Sequence, residues 1–141
     1  GAGCRMAIFN GHGEHPLQAL ENGAACTWFV PSGSPLTERK QWIAGSLKTA
    51  GKLLVDDGAL KALKQGKSLL PAGIIQVEGN LERGDAVQVC TTDGNEVARG
   101  LCAYSAADAC QIKGHKSGEI ERLLGYRGRD EIIHRDDMVL R

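Results

Sequence analysis

The chain has 141 residues, with 17 Lys and Arg balanced by 17 Asp and Glu, which bounds it to one ordinary domain or one small domain plus a remnant. Zero formal net charge leaves no global positive field to attract nucleic acid, and an aromatic content of 4% leaves too few rings for a base-stacking platform. Five cysteines without a C-x-x-C pair speak against a disulfide framework or a structural zinc site and fit a reducing cytosol, and no leader pattern or long apolar run predicts a membrane span.

In chain order, Cys4 to Asn10 reads as a buried strand, because Met6, Ala7, Ile8 and Phe9 are consecutive apolar residues. Pro16 to Glu21 predicts a short helix, with Pro16 at its first position and Gly23 as its stop. Cys26 to Val30 predicts a second apolar strand. A strand, a short helix and a strand cannot close a core alone. This region therefore reads as the tail of a larger α/β domain. Pro31-Ser32-Gly33-Ser34-Pro35 marks a linker or tight turn. Ser34 suits the cap of a following helix, with Leu36, Ile43 and Leu47 along one face.

A second domain starts near Lys52. Leu53 to Val55 predicts a strand, and Asp56 or Asp57 a cap for a helix ending near Gly66. On that helix Leu60 and Leu63 face inward, while Lys61 and Lys64 share another face. Gly66 to Gly79 holds three glycines and one proline before an apolar run, so it is expected to bend sharply and then join a sheet through Ile74 to Glu78. Ala86 to Thr91 alternates Val87 and Val89 against Gln88 and Cys90. Thr92-Asp93-Gly94-Asn95 predicts a type I′ hairpin into a partner strand from Val97 to Tyr104. Ser105 caps a helix to Lys113, with Asp108 completing a capping box. Ser117 caps a last helix that buries Ile120, Leu123 and Leu124 and stops at Gly125. Glu131 to His134 and Met138 to Leu140 are read as closing strands. Strands dominate and helices are short and peripheral, so the fold class is mainly β with short helices (α+β), arranged as a small mixed barrel.

Several short motifs invite a functional reading. Gly66-Lys67-Ser68 matches the end of a phosphate-binding P-loop, but the position that needs the first glycine is Lys61, a helix precedes it and Pro71 follows. His134-Arg135-Asp136 copies a protein-kinase triplet without its downstream asparagine or glycine-rich loop. Arg83-Gly84-Asp85 reads as a turn. His12, His15, His115 and His134 form no metal-ligand pattern with the cysteines. Cys90 and Cys102 fall on paired strands, where packing is their role. No catalytic, cofactor-binding or metal-ligating residue is assigned. The one candidate surface is an RNA- or anion-facing patch of Lys61, Lys64, Lys67, Ser68 and Arg83, with Lys52 nearby; lysine contacts to phosphate give affinity without sequence readout.

Gly66-Lys67-Ser68-Leu69-Leu70-Pro71, Gly73-Ile74, Gly79 and Arg83-Gly84-Asp85 together resemble the PUA domain, a small barrel first known from RNA-modifying enzymes. With Arg39-Lys40-Gln41-Trp42-Ile43-Ala44-Gly45 before them, and Ser117-Gly118-Glu119-Ile120, Leu124-Gly125-Tyr126 and His134-Arg135-Asp136-Asp137-Met138 after, the set resembles the C-terminal part of the glutamate 5-kinase family over roughly the whole chain. The resemblance implies residues 1–35 as the remnant of an amino-acid kinase domain plus linker, and residues 36–141 as a PUA-like pseudo-barrel. It implies a cytoplasmic parent that uses ATP and magnesium to make γ-glutamyl phosphate, the first step of proline biosynthesis. The groups for that chemistry belong to the upstream kinase domain of the same chain, so this segment is expected to be inactive alone and to hold no cofactor. Its role is expected to be a regulatory or assembly appendage, with homo-oligomer contacts; an RNA-binding module and a purely structural domain are the alternatives. In PUA domains the first helix, the loop after it and a barrel strand form the RNA groove, where Lys61, Lys64, Lys67 and Ser68 fall.

Overall fold

The computed structural model describes residues 4–31, 33–45 and 48–141. Within it the chain forms two compact units, Gly1–Arg39 and Lys40–Arg141. Ser32 of the linker and Leu47 of the expected apolar face lie outside the described residues.

The first unit pairs β1 (Met6–Phe9) antiparallel with β2 (Cys26–Phe29), joined through α1 (Pro16–Glu21). Strand, helix and strand form where their local chemistry predicts, but the buried strand does not hold. Met6 is 52% and Ile8 57% exposed, because two strands and one helical turn supply no layer to cover them. The next helix, α2 (Pro35–Gly45), carries the chain into the second unit. Ser34 caps it, its hydroxyl accepting the Thr37 N–H at 3.2 Å. Ile43 is buried, but Leu36 is exposed and so does not share its inward face.

The second unit is a five-stranded mixed sheet in the order β4-β3-β5-β6-β7, built from β3 (Gly51–Val55), β4 (Ile74–Gly79), β5 (Ala86–Cys90), β6 (Glu96–Leu101) and β7 (Met138–Leu140). Strand β3 runs parallel to β5, and the other neighbours are antiparallel. This is the mainly β, α+β class that the strand-rich pattern implies. One apolar core joins Leu53 and Val55 of β3, Val87 and Val89 of β5 and Ala98 of β6 to the helices α3 (Asp57–Lys64), α4 (Ala106–Ile112) and α5 (Ile120–Leu124).

Local signals fare best where one side chain settles the matter. Asp56, rather than Asp57, caps α3 by accepting the Ala59 N–H at 2.6 Å. On α3 Leu63 is buried and Leu60 only half-buried. The Pro71–Gly73 turn, opened by its proline, bends the chain into β4.

Five expectations change. The Asp93-Gly94 hairpin is not type I′, which needs positive φ at both central residues. Only Gly94 has it, at φ +85°, and its N–H bonds to the Thr91 carbonyl at 2.9 Å, so a three-residue loop ends on a left-handed glycine. The register shift between Val89 and Cys90 accompanies this loop and buries Cys90 beside the valine it was expected to alternate with. Ser105 caps α4 through the Asp108 N–H, but the Asp108 carboxylate accepts from the Tyr126 hydroxyl at 3.0 Å instead of closing a capping box. Ser117 does not cap a helix; its hydroxyl donates to the Asp130 carbonyl at 2.6 Å, and Glu119 instead reaches back to the Lys116 N–H. Glu131 to His134 forms no strand. Only a single bridge joins Ile133 to Leu69, with the Leu69 N–H donating to the Ile133 carbonyl at 2.9 Å.

Candidate functional site

The lysines sit on α3 and the loop that leaves it. Lys61 and Lys64 occupy its last turn, where cations complement the helix dipole, and both are exposed. The chain then reverses at Gly66, the Lys67 N–H returning to the Ala62 carbonyl at 3.1 Å. Lys67 and Ser68 line a groove of about 420 Å³, floored by Ala59, Ala62, Leu69 and Gly73 with Asp56 at its rim. Small residues let its walls approach each other: a Cβ at Gly73 would strike the Ala59 methyl. Ser68 is held in place, its hydroxyl accepting the Arg135 N–H at 3.0 Å.

The five predicted residues therefore do not form one surface. Lys67 and Ser68 share the groove, and Lys61 and Lys64 stand on the exposed side of the helix that walls it. Lys52 is elsewhere, opposite Glu78 in the β3–β4 ladder, and is not among the groove's lining residues.

Arg83 lines a different cavity of about 270 Å³, together with Tyr104, Tyr126, Arg127 and Arg129. It leaves a braced turn: Gly84 has φ +95°, and the Asp85 carboxylate accepts the Glu82 N–H at 2.8 Å, as the turn reading of Arg83-Gly84-Asp85 requires. Burial pushes the Tyr104 phenol up to about 12; the neighbouring Tyr126, Asp130 and Glu131 add to this and the Arg83 guanidinium opposes it. The Tyr104 hydroxyl donates to the Arg129 carbonyl. Sequence reasoning missed Arg127 and Arg129. The signal was an arginine on either side of Gly128, directly after Tyr126.

A Mg–ATP site would need carboxylates for the metal and a glycine-rich loop for the phosphates. Among the described residues no group of three or more His, Cys, Asp or Glu is placed to hold a metal ion. Gly66-Lys67-Ser68 leaves the C-terminus of a helix and leads to Pro71, whereas a P-loop follows a strand and opens a helix. The donor set does not fit the nucleotide, and no phosphoryl-transfer step is assigned to these residues. His134-Arg135-Asp136 lies at a single 3-10 turn, where His134 Nδ1 accepts the Asp136 N–H at 3.2 Å. The described part of the chain has no helix long and apolar enough to cross a membrane.

A family model of the PUA domain matches residues 51–124. The chain is 59% identical over 139 residues to a glutamate 5-kinase of Paramagnetospirillum magneticum, covering 99% of this chain and 38% of that protein. It is 58% identical over 139 residues to a glutamate 5-kinase of Agrobacterium fabrum, covering 99% of this chain and 36% of the relative. The chain thus spans little more than a third of the length of these curated relatives. Among solved structures, a PUA domain from Aeropyrum pernix K1 in a tartrate complex is 28% identical, with a TM-score of 0.44 over 61% of this chain and 41% of that one.

Proposed function

From a chain that belongs to the PUA domain family, we propose that these residues are the non-catalytic appendage of a glutamate 5-kinase. The observation that carries the reading is 59% identity to such a kinase over nearly the whole chain, which nevertheless spans only 38% of that relative. The apolar side chains left open on the first unit agree with it, since Met6, Ile8, Trp28 and Phe29 are exposed in a strand–helix–strand piece that lacks a covering layer. In this reading residues 1–35 complete the amino-acid kinase domain and its linker, and residues 36–141 are the PUA domain. The whole cytoplasmic protein transfers the γ-phosphoryl group of Mg–ATP to the side-chain carboxylate of L-glutamate. The groups that hold phosphates and glutamate belong to the remainder of the kinase domain. The PUA domain acts on that enzyme from outside the chemistry, through stability, homo-oligomer contacts or the feedback response to proline.

Two assays test this. The isolated chain should show no glutamate-dependent ATP turnover. The full enzyme lacking the segment equivalent to Lys52–Arg141 should keep turnover while its assembly or its inhibition by proline changes. Turnover by the chain alone sinks the proposal, and a truncated enzyme unaltered in assembly and regulation reduces the domain to a structural remnant.

A second reading, RNA binding, is favoured by one feature: Lys61 and Lys64 are exposed on the helix that walls the Lys67 groove. If RNA docks there, Lys61→Glu with Lys64→Glu should abolish binding at low salt. Milder Lys→Gln changes should flatten the dependence of log affinity on log salt by roughly 0.7 per lost contact with a single strand. Absence of any gel shift by the parent chain at low salt ends this reading.

A further inference from the structure

We propose that Arg83, Arg127 and Arg129 form an oxyanion site that takes a tetrahedral phosphate group, separate from the lysine groove and independent of the kinase reading. Among the described residues, the charged ones that line this cavity of about 270 Å³ are all arginines, and Ala103, Tyr104, Tyr126 and Gly128 line it with them. Three guanidinium forks exceed what one planar carboxylate can engage, whereas a phosphate offers enough oxygens to accept from all three.

The walls are held before any ligand arrives. Gly128 packs so closely on the Tyr104 ring that a Cβ there would lie 2.8 Å from Cε1 and 2.9 Å from Cζ. Only glycine lets the loop approach that buried ring so closely, and Arg127 and Arg129 flank this glycine in the chain. The ring is itself fixed by the bond from its hydroxyl to the Arg129 carbonyl. Tyr126 is anchored to Asp108 at 3.0 Å. The Arg83 turn is tied to the residue after β6, with the Gly84 N–H on the Cys102 carbonyl at 2.8 Å and the Cys102 N–H on the Asp85 carbonyl at 2.9 Å. Among the described residues no acidic one lines the cavity. Asp137 Oδ2 lies 3.9 Å from Arg129 Nη1, and the charges of Asp130 and Glu131 act on the Tyr104 phenol. Rigid walls lower the ordering cost of binding.

Phosphate could arrive free or as the ester of a nucleotide, and the probes separate these. The full 141-residue chain is titrated at low ionic strength with inorganic phosphate and with adenosine 5′-monophosphate, following backbone amide NMR shifts. Both probes should move the Gly84 and Gly128 amides saturably. Arg83→Gln and Arg127→Gln should each weaken binding by about tenfold or more, the loss expected for a charge-assisted contact. Arg127→Lys keeps the charge but loses the fork and should fall between. Lys61→Glu with Lys64→Glu should leave both affinities unchanged. Tighter binding of the nucleotide assigns the site to a phosphate ester, and equal binding to the free oxyanion; either sustains it. Unmoved Gly84 and Gly128 amides, arginine variants that bind as the parent does, or a lysine variant that abolishes binding would overturn it.

Discussion

Leu69→Ala should lower the unfolding free energy of the second unit by about 2–5 kcal/mol, the range for truncating a buried leucine. Leu69 is 1% exposed and belongs to the same apolar core as Leu63 and Ile133. Its backbone fastens two distant segments: its N–H donates to the Ile133 carbonyl, and its carbonyl accepts the Ile132 N–H at 2.8 Å. Alanine keeps those bonds, so the loss measures the side chain alone. Leu69 also lies under the Lys67 groove, so part of the vacated space opens to water and the remaining cost is mainly lost transfer energy. For a unit of this size each kcal/mol moves the melting temperature by roughly 4–8 °C, so a fall on the order of 10 °C or more is expected by calorimetry. A fall of only a degree or two would mean that the groove floor is not part of the core.

What could be read from the sequence follows the range of the forces involved. Pro16, Ser34, Asp56, Ser105 and Gly125 act within a few residues, and each starts or ends the helix it was expected to. Ser117 has the same capping chemistry but meets a stronger partner in the Asp130 carbonyl, which its local sequence cannot reveal. Ile132 and Ile133 look like a strand because both are apolar; they are buried in the core, but their backbone makes only a single bridge to Leu69 and one bond to the Ala103 N–H at 2.8 Å, not a ladder. The candidate site divides in the same way. Lys61, Lys64, Lys67 and Ser68 share one helix and its exit loop, so nearness in sequence is nearness in space. Arg83 does not join them, because β4 carries the chain across the sheet edge before the turn that holds it. Its true neighbours, Arg127 and Arg129, arrive through a glycine whose necessity comes from a tyrosine ring remote in sequence.

Gly79→Ala should be nearly as damaging, at roughly 2–5 kcal/mol, because a left-handed backbone and a blocked Cβ act at one position. Gly79 ends β4 with φ +94°, where an L side chain is strained. A Cβ there would stand 2.6 Å from the Ala50 carbonyl oxygen and 2.7 Å from the Gly51 Cα. Both obstacles are backbone, and neither can swing away as a flexible side chain would. Gly51 cannot retreat, since it pairs with Gly79 on one side and with Val87 of β5 on the other. The change therefore has to push β4 off the sheet or alter the turn after it. That turn delivers Leu81 into the core, fully buried, with its carbonyl accepting the Ala106 N–H at 2.8 Å, and then presents Arg83. Gly94→Ala supplies the comparison. Its φ of +85° is similar, but nothing lies within 4 Å of its Cβ position, so only the conformational strain of about 1–2 kcal/mol applies. Urea unfolding of the two variants should place Gly79→Ala clearly below Gly94→Ala. Equal losses would show that the β3–β4 end yields, and that the close approach of Gly51 and Gly79 does not hold the Arg83 turn in place.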